Sequence, residues 1–175
     1  MGHRFSEISD KKAIQIAQDN GVRIVFDVAD PFAVDRNRDS FLRMIEKDID
    51  IVFANQSELN ILLDSEDMDY CIDNLMKVVN SGGIKLGKEG SLIFDNNKKY
   101  IIKPSPILAK DSTGAGDMYA AGFLASVAKG EGYESAGQIA VNLAEEVIQI
   151  EGAQFEKDVI VDLSKKYCKS FDKIK

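Results

Sequence analysis

This chain is poor in histidine, cysteine, proline and tryptophan. One histidine, two cysteines, three prolines and no tryptophan occur in 175 residues. The lone histidine, His3, stands near the N-terminus, which argues strongly against a Ser-His-Asp triad or a zinc site built on imidazoles. Cys71 and Cys168 lie far apart, so the expectation is two reduced thiols in a cytoplasmic protein rather than a disulfide framework. No apolar run approaches the roughly 20 residues of a membrane span. The opening "MGHRFS" fits the Met-Gly-x-x-x-Ser pattern of myristoylation, but one acyl chain anchors weakly and no membrane partner is expected. Basic residues are also in deficit, 22 against 29 acidic ones, for a net charge of -7. Nucleic acid is therefore not an expected partner, because binding its phosphates requires a basic footprint. Chemistry is left to carboxylates, hydroxyls, lysines and backbone amides.

What is present is an ordinary globular composition, 45% hydrophobic and 29% charged, in a chain long enough for one domain with a sizeable core. The whole span, 1–175, reads as a single domain. Apolar spacing predicts helices over 11–21, 35–47, 55–63, 66–79, from Gly116 to about 129, over 133–149, and one more at the end. β-Branched runs predict strands over 22–28, 49–54 and 82–87, and "SLIFDNNKKYIIK" (91–103) reads as a hairpin with Asn96-Asn97 at its tip. Strands alternating with helices predict an α/β fold, a parallel sheet covered by helices on both faces. In such sheets ligands bind beyond the C-terminal strand ends. Four polar stretches fall on that rim: "DPF" (30–32), "NQSE" (55–58), "GKEG" (87–90) and "DSTGAGD" (111–117).

The last of these carries the most chemistry. Gly114 and Gly116 let backbone approach a ligand without a Cβ in the way. If a helix starts near Ala115, its free N–H groups and dipole form an anion hole suited to phosphate. Asp117 in that first turn could take a proton from an attacking hydroxyl. The same residues also fit a capped turn, with Asp111 as cap and Asp117 complementing the dipole. Asn55 and Glu58 have capping-box spacing, and Glu58 could equally order Mg²⁺ through its waters. Gly82 to Lys88 meets Gly-x-x-x-x-Gly-Lys, yet Glu89 stands where a P-loop needs Ser or Thr and a strand follows, so this is no Walker A motif. Gly87 and Gly90 form either a tight turn against a nucleotide or a simple strand connection. Asp27 and Asp30 could face the cleft or start the next turn. A dinucleotide oxidoreductase is disfavoured, since Tyr119 occupies the third glycine position of "GAGDMY". Phe26, Phe41, Phe53 and Phe123 are expected in the core.

"DSTGAGD", followed by a helix of small residues, resembles the C-terminal signature of the PfkB (ribokinase-like) family of carbohydrate and nucleoside kinases. Ser112 stands in place of its Thr. Asn55 to Glu58 matches Asn-x-x-Glu and Gly87 to Gly90 matches Gly-x-x-Gly, in family order, and the resemblance covers about residues 11–160. It implies a ribokinase-like fold using ATP and Mg²⁺, and in many members K⁺. It implies Asp117 as catalytic base, with Gly114, Ala115 and Gly116 as the anion hole. Asn55 and Glu58 would order Mg²⁺ and phosphate, and Gly87 and Gly90 would form the nucleotide-side turn. Asn142 would lie in the helix flanking the adenine, and Asp111 and Thr113 would line a monovalent-cation site. The acceptor would be the primary hydroxyl of a small molecule, a nucleoside or a sugar. "ADPF" is similar to the Ser-Ala-Pro-Phe turn of the adenosine-kinase branch, whereas Ala29 and Pro31 occupy the Asn and Arg positions of the sugar-kinase pattern. Lys85 stands where the family often has Thr. The family's N-terminal half, with its lid and most acceptor-binding residues, is missing from this sequence. The alternative expectation is therefore a catalytically incomplete half that binds nucleotide or a partner, by dimerisation or by pairing with a separate N-terminal half.

Overall fold

The computed structural model describes residues 7–167; His3, Cys168 and the "MGHRFS" segment lie outside them. Within this span, five strands form one sheet in the order β1-β2-β3-β4-β5. β1 (Val25–Asp27), β2 (Ile51–Asn55) and β3 (Ser81–Lys85) run parallel, while β4 (Ser91–Asp95) and β5 (Lys98–Ile102) add antiparallel at one edge. The sheet is thus mixed rather than wholly parallel. The cause is the hairpin itself: Asn96 and Asn97 adopt φ of 45° and 69°, the left-handed pair that reverses a strand in two residues. β1 is shorter than the apolar run 22–28 because it sits at the sheet edge and bonds only to β2.

Helices cover both faces. α2 (Pro31–Asp48), α3 (Gln56–Leu63) and α4 (Met68–Val78) follow β1 and β2. They enclose one core, in which Val34, Ile45, Val52, Leu59, Leu62 and Leu75 are fully buried. α5 (Ala115–Ala128) and α6 (Tyr133–Val147) cover the opposite face, where Phe53 packs edge-on against Tyr119 and Phe123 at centroid distances of 5.8 and 5.2 Å. α1 (Glu7–Asp19) precedes the sheet and α7 (Lys157–Tyr167) follows α6. Phe26, Phe41, Phe53 and Phe123 are packed rather than presented as a stacking platform, Phe26 lying 5.0 Å from Phe41. Cys71 is buried as a free thiol that donates to the Ser65 carbonyl.

Local chemistry sets the helix starts on the rim. "ADPF" does not merely turn the chain. Asp30 caps α2 by accepting the Phe32 N–H, and Pro31 takes the first helical position, where its missing N–H costs nothing. α2 therefore begins earlier than the apolar spacing from Phe41 onward predicts. Asp67 caps α4 in the same way through the Tyr70 N–H. The small residues of α5 serve helix packing more than sheet packing. A Cβ on Gly122 would meet Leu143 Cδ1 at 2.8 Å and Ala140 Cα at 3.2 Å on α6.

Candidate functional site

The C-terminal ends of the three parallel strands carry Asp27, Asn55 and Lys85. Pairing sets Asp27 opposite Phe53, and Asn55 opposite Lys85. Asp27 and Lys85 flank β2 and meet over its end. The Lys85 ammonium lies 3.0 Å from both Asp27 carboxylate oxygens, with the two side chains 18% and 28% exposed.

α3 opens directly from β2 through the capping box that the spacing allowed. Asn55 Oδ1 accepts the Glu58 N–H at 2.9 Å, and Glu58 Oε2 accepts the Asn55 N–H at 2.7 Å. Asn55 Nδ2 also donates to Glu58 Oε1. Glu58 is buried, 2% exposed. Burial pushes its carboxyl above the ordinary value; the Asn55 N–H and Lys85 pull it down, and Asp27 and Asp30 push it up again. Three carboxylates thus share the field of one ammonium. No group of three or more His, Cys, Asp or Glu among the described residues is close enough to hold a metal ion. Each Glu58 oxygen is already engaged by Asn55, so the donor set suits a hydrated divalent ion met through its waters, not one stripped and caged.

The signature loop brings its helix to the same place. Asp111 Oδ1 accepts the Thr113 N–H at 2.9 Å and the Thr113 hydroxyl at 2.7 Å, while Oδ2 accepts the Gly152 N–H at 3.1 Å. These bonds hold its carboxyl below the usual range, the Thr113 hydroxyl being the largest cause. Gly114 is the N-cap of α5 with φ 80°, and a Cβ there would meet the Ala153 methyl at 2.8 Å. Both facts require glycine. The Ala115 N–H bonds to Ser112 and the Met118 N–H to Gly114. Between them, the N–H groups of Gly116 and Asp117 have no acceptor among the described residues, as expected of a first helical turn. A Cβ on Gly116 would stand 3.5 Å from Lys85 Nζ. The start of α5 thus lies beside the Lys85 ammonium. Asp117, exposed in the same turn, has no described side-chain partner.

Gly87 and Gly90 sit at the ends of the turn that joins β3 to β4. Gly90 donates to Gly87 at 3.0 Å, and Leu86 donates to Gly90 at 2.8 Å. Gly90 has φ 93°, and a Cβ there would collide with the Ile102 carbonyl. Asn142 lies on α6, where its amide oxygen accepts from Gln138. No described contact joins Asn142 to Gly87 or Gly90. The structure therefore brings together Asn55, Glu58 and Gly116 with Asp27 and Lys85, and shows no described contact from the Gly87–Gly90 turn or Asn142 to that group. The pairing of Lys85 with Asp27 was not expected from the sequence. The available signal was a lysine ending a buried strand whose side chain must find a carboxylate.

A family model, "pfkB family carbohydrate kinase", matches residues 4–159. An uncharacterized sugar kinase of Archaeoglobus fulgidus is 32% identical over 117 residues, covering 65% of this chain and 45% of that protein. The cytidine kinase of Thermococcus kodakarensis is 31% identical over 121 residues, covering 64% of this chain and 41% of that one. In structure, the adenosine kinase of Sinorhizobium meliloti superposes with a TM-score of 0.83 at 29% identity, over 89% of this chain and 48% of that chain. The chain spans less than half the length of each of these relatives, and its sheet and helices are part of a ribokinase-like fold. With a family match over most of its length and the signature loop seated on the strand ends, this chain belongs to the pfkB family of carbohydrate kinases.

Proposed function

We propose that this chain carries the nucleotide-binding and catalytic part of an ATP-dependent kinase. It would move the γ-phosphate to a primary hydroxyl of a nucleoside or a sugar. The observation that carries this reading is the start of α5 lying beside the strand ends at Lys85, with the Gly116 and Asp117 amides and the Asp117 carboxylate unpaired among the described residues. Phosphoryl transfer asks a protein chiefly for positioning and for charge stabilisation. Gly114 and Ala115 turn the chain into α5, and the Gly116 and Asp117 amides receive phosphate oxygens. The Asp117 carboxylate accepts the proton of the attacking hydroxyl. Gly87 and Gly90 form the turn on the nucleotide side, and Asn142 flanks the base.

Magnesium fits the rim as a hydrated ion ordered by Glu58, and when bound it would neutralise phosphate charge. Asn55 holds Glu58 in place for that task. Asp111 accepts from three donors of its own surroundings, so with Thr113 it fixes the loop that would line a monovalent-cation site. No described helix is long and apolar enough to cross a membrane; the small-molecule substrates and cytoplasmic setting we assign rest on the kinase reading. The two named nucleoside kinases among the relatives support a nucleoside acceptor; the sugar kinase keeps sugars in the test.

Titration with MgATP tests the reading. The native chain and Asp117→Ala should bind alike, and Gly116→Val should not bind, because its branches crowd the amides and Lys85. Identical binding by all three sinks the assignment. A second reading has its own observation: among the described residues β1 bonds to one strand only, leaving an edge that a second chain or another segment could extend. Turnover of any nucleoside or sugar by the chain as a monomer, checked by light scattering, rejects the idea that it needs a partner half.

A further inference from the structure

The proposed kinase chemistry leaves the Lys85–Asp27 pair of the rim without a role. Lys85 projects from the end of β3 into the space under α5, where its ammonium is 3.5 Å from the position of a Gly116 Cβ. It is 3.0 Å from each oxygen of Asp27. Asp27 pairs with it directly, and both, with Asp30, act on the buried carboxyl of Glu58. A triphosphate entering that place meets three carboxylates and a single cation. Two free amides cannot offset that repulsion, because each carries only a fraction of a charge. A mobile ammonium beside them can.

We infer that Lys85 contacts the terminal phosphate of the nucleotide, and that Asp27 holds its ammonium poised when no phosphate is there. This rests on the kinase reading of the same site. Lysine suits the task as a compact charge on a flexible stem, able to pass from one anion to another over a few ångströms. Asp27 then serves as a resting partner: it keeps the half-buried ammonium paired and sets its direction. The departure from threonine at this position thereby exchanges a neutral donor for a full charge. The nucleotide site of this chain should consequently favour polyphosphates over monophosphates more strongly than amides alone would allow.

The test compares ATP with AMP, each with Mg²⁺, by calorimetric titration of the full chain. Lys85→Met should weaken ATP binding by about tenfold or more and change AMP binding by less than about twofold. Lys85→Arg should restore much of the difference. Asp27 left alone could destabilise the methionine variant, so the double variant Lys85→Met/Asp27→Asn is measured too; it should show the same loss of ATP preference. An unchanged ratio of ATP to AMP affinity in both variants makes Lys85 only a staple between β1 and β3, which overturns the inference and leaves the kinase reading standing. Failure of the native chain to bind ATP, or unaltered binding by Gly116→Val, overturns the kinase reading and the inference with it.

Discussion

Glu58 shows how one residue can serve fold and site together. Its carboxylate completes the cap of α3 while buried beside Asp27, Asp30 and Lys85. The pH consequence has a definite sign. A carboxyl raised above 4.5 by folding keeps a proton that the unfolded chain has already released. Stability therefore falls as pH rises from 4.5 through the folded value, then levels off. Glu58→Gln removes that titration and keeps the backbone half of the box, at the loss of the bond to Asn55 Nδ2. Urea midpoints between about pH 4 and 8 should show the native chain losing ground to the glutamine variant as pH rises. A difference that stays flat shows that Glu58 carries no burial penalty. Glu58→Ala should cost about 1 kcal/mol near pH 4, as the lost cap requires, and less as pH rises, because it too lacks the titration. Gly90 makes the same point with backbone. Its φ of 93° and its contact with the Ile102 carbonyl leave no room for a Cβ. Gly90→Ala should destabilise the chain by about 1–3 kcal/mol; Gly87→Ala, strained in φ but open in space, should cost less in the same urea series.

Among the elements, α5 couples packing to chemistry. Its N-terminus holds the free amides and its middle lies against α6 through Gly122, so its position is set by a contact two turns from the site. Gly122→Leu should overpack that contact, cost about 1–3 kcal/mol, and weaken MgATP binding although no phosphate contact is touched. Weakened stability with unaltered binding would mean that α5 tolerates displacement. This coupling also explains what could be read in advance. The elements were legible because each is locally marked: the β-branched runs of β1 and β2, the apolar spacing of α4, and Asn96-Asn97 at the hairpin tip. So was the start of α5 near Ala115, which the glycines of its loop imply. The partner of the small α5 face was not legible, since "AAGFLAS" suits a sheet or a helix equally. Nor was the start of α2, where Asp-Pro fits a turn as well as a cap. The Lys85–Asp27 pair was hidden for another reason. Its members are 58 residues apart and meet across β2 only once the strand order exists, so no window of sequence contains the contact.

For the whole molecule, stability and ligand binding read out one another. The rim joins β1, β2 and β3 with α3 and α5, so a nucleotide bound there touches elements from both cores. A ligand that binds only the folded chain stabilises it by about 2.7 kcal/mol at a hundred times its dissociation constant. In a chain of this size that should raise the melting temperature by roughly 5–10 °C. The shift should appear for the native chain and for Asp117→Ala, because a base that acts on the acceptor adds nothing to nucleotide binding. It should vanish for Gly116→Val. Lys85→Met should shrink the shift with ATP at fixed concentration and leave the smaller shift with AMP unchanged. β1 adds one condition. If its free edge pairs two chains, the melting temperature without ligand will rise with protein concentration, whereas the ATP-induced increment at saturation will not. Scans at two protein concentrations, with and without MgATP, therefore separate stability supplied by a partner from stability supplied by the nucleotide. An increment that appears only at the higher protein concentration would mean that the nucleotide site is completed by a second chain.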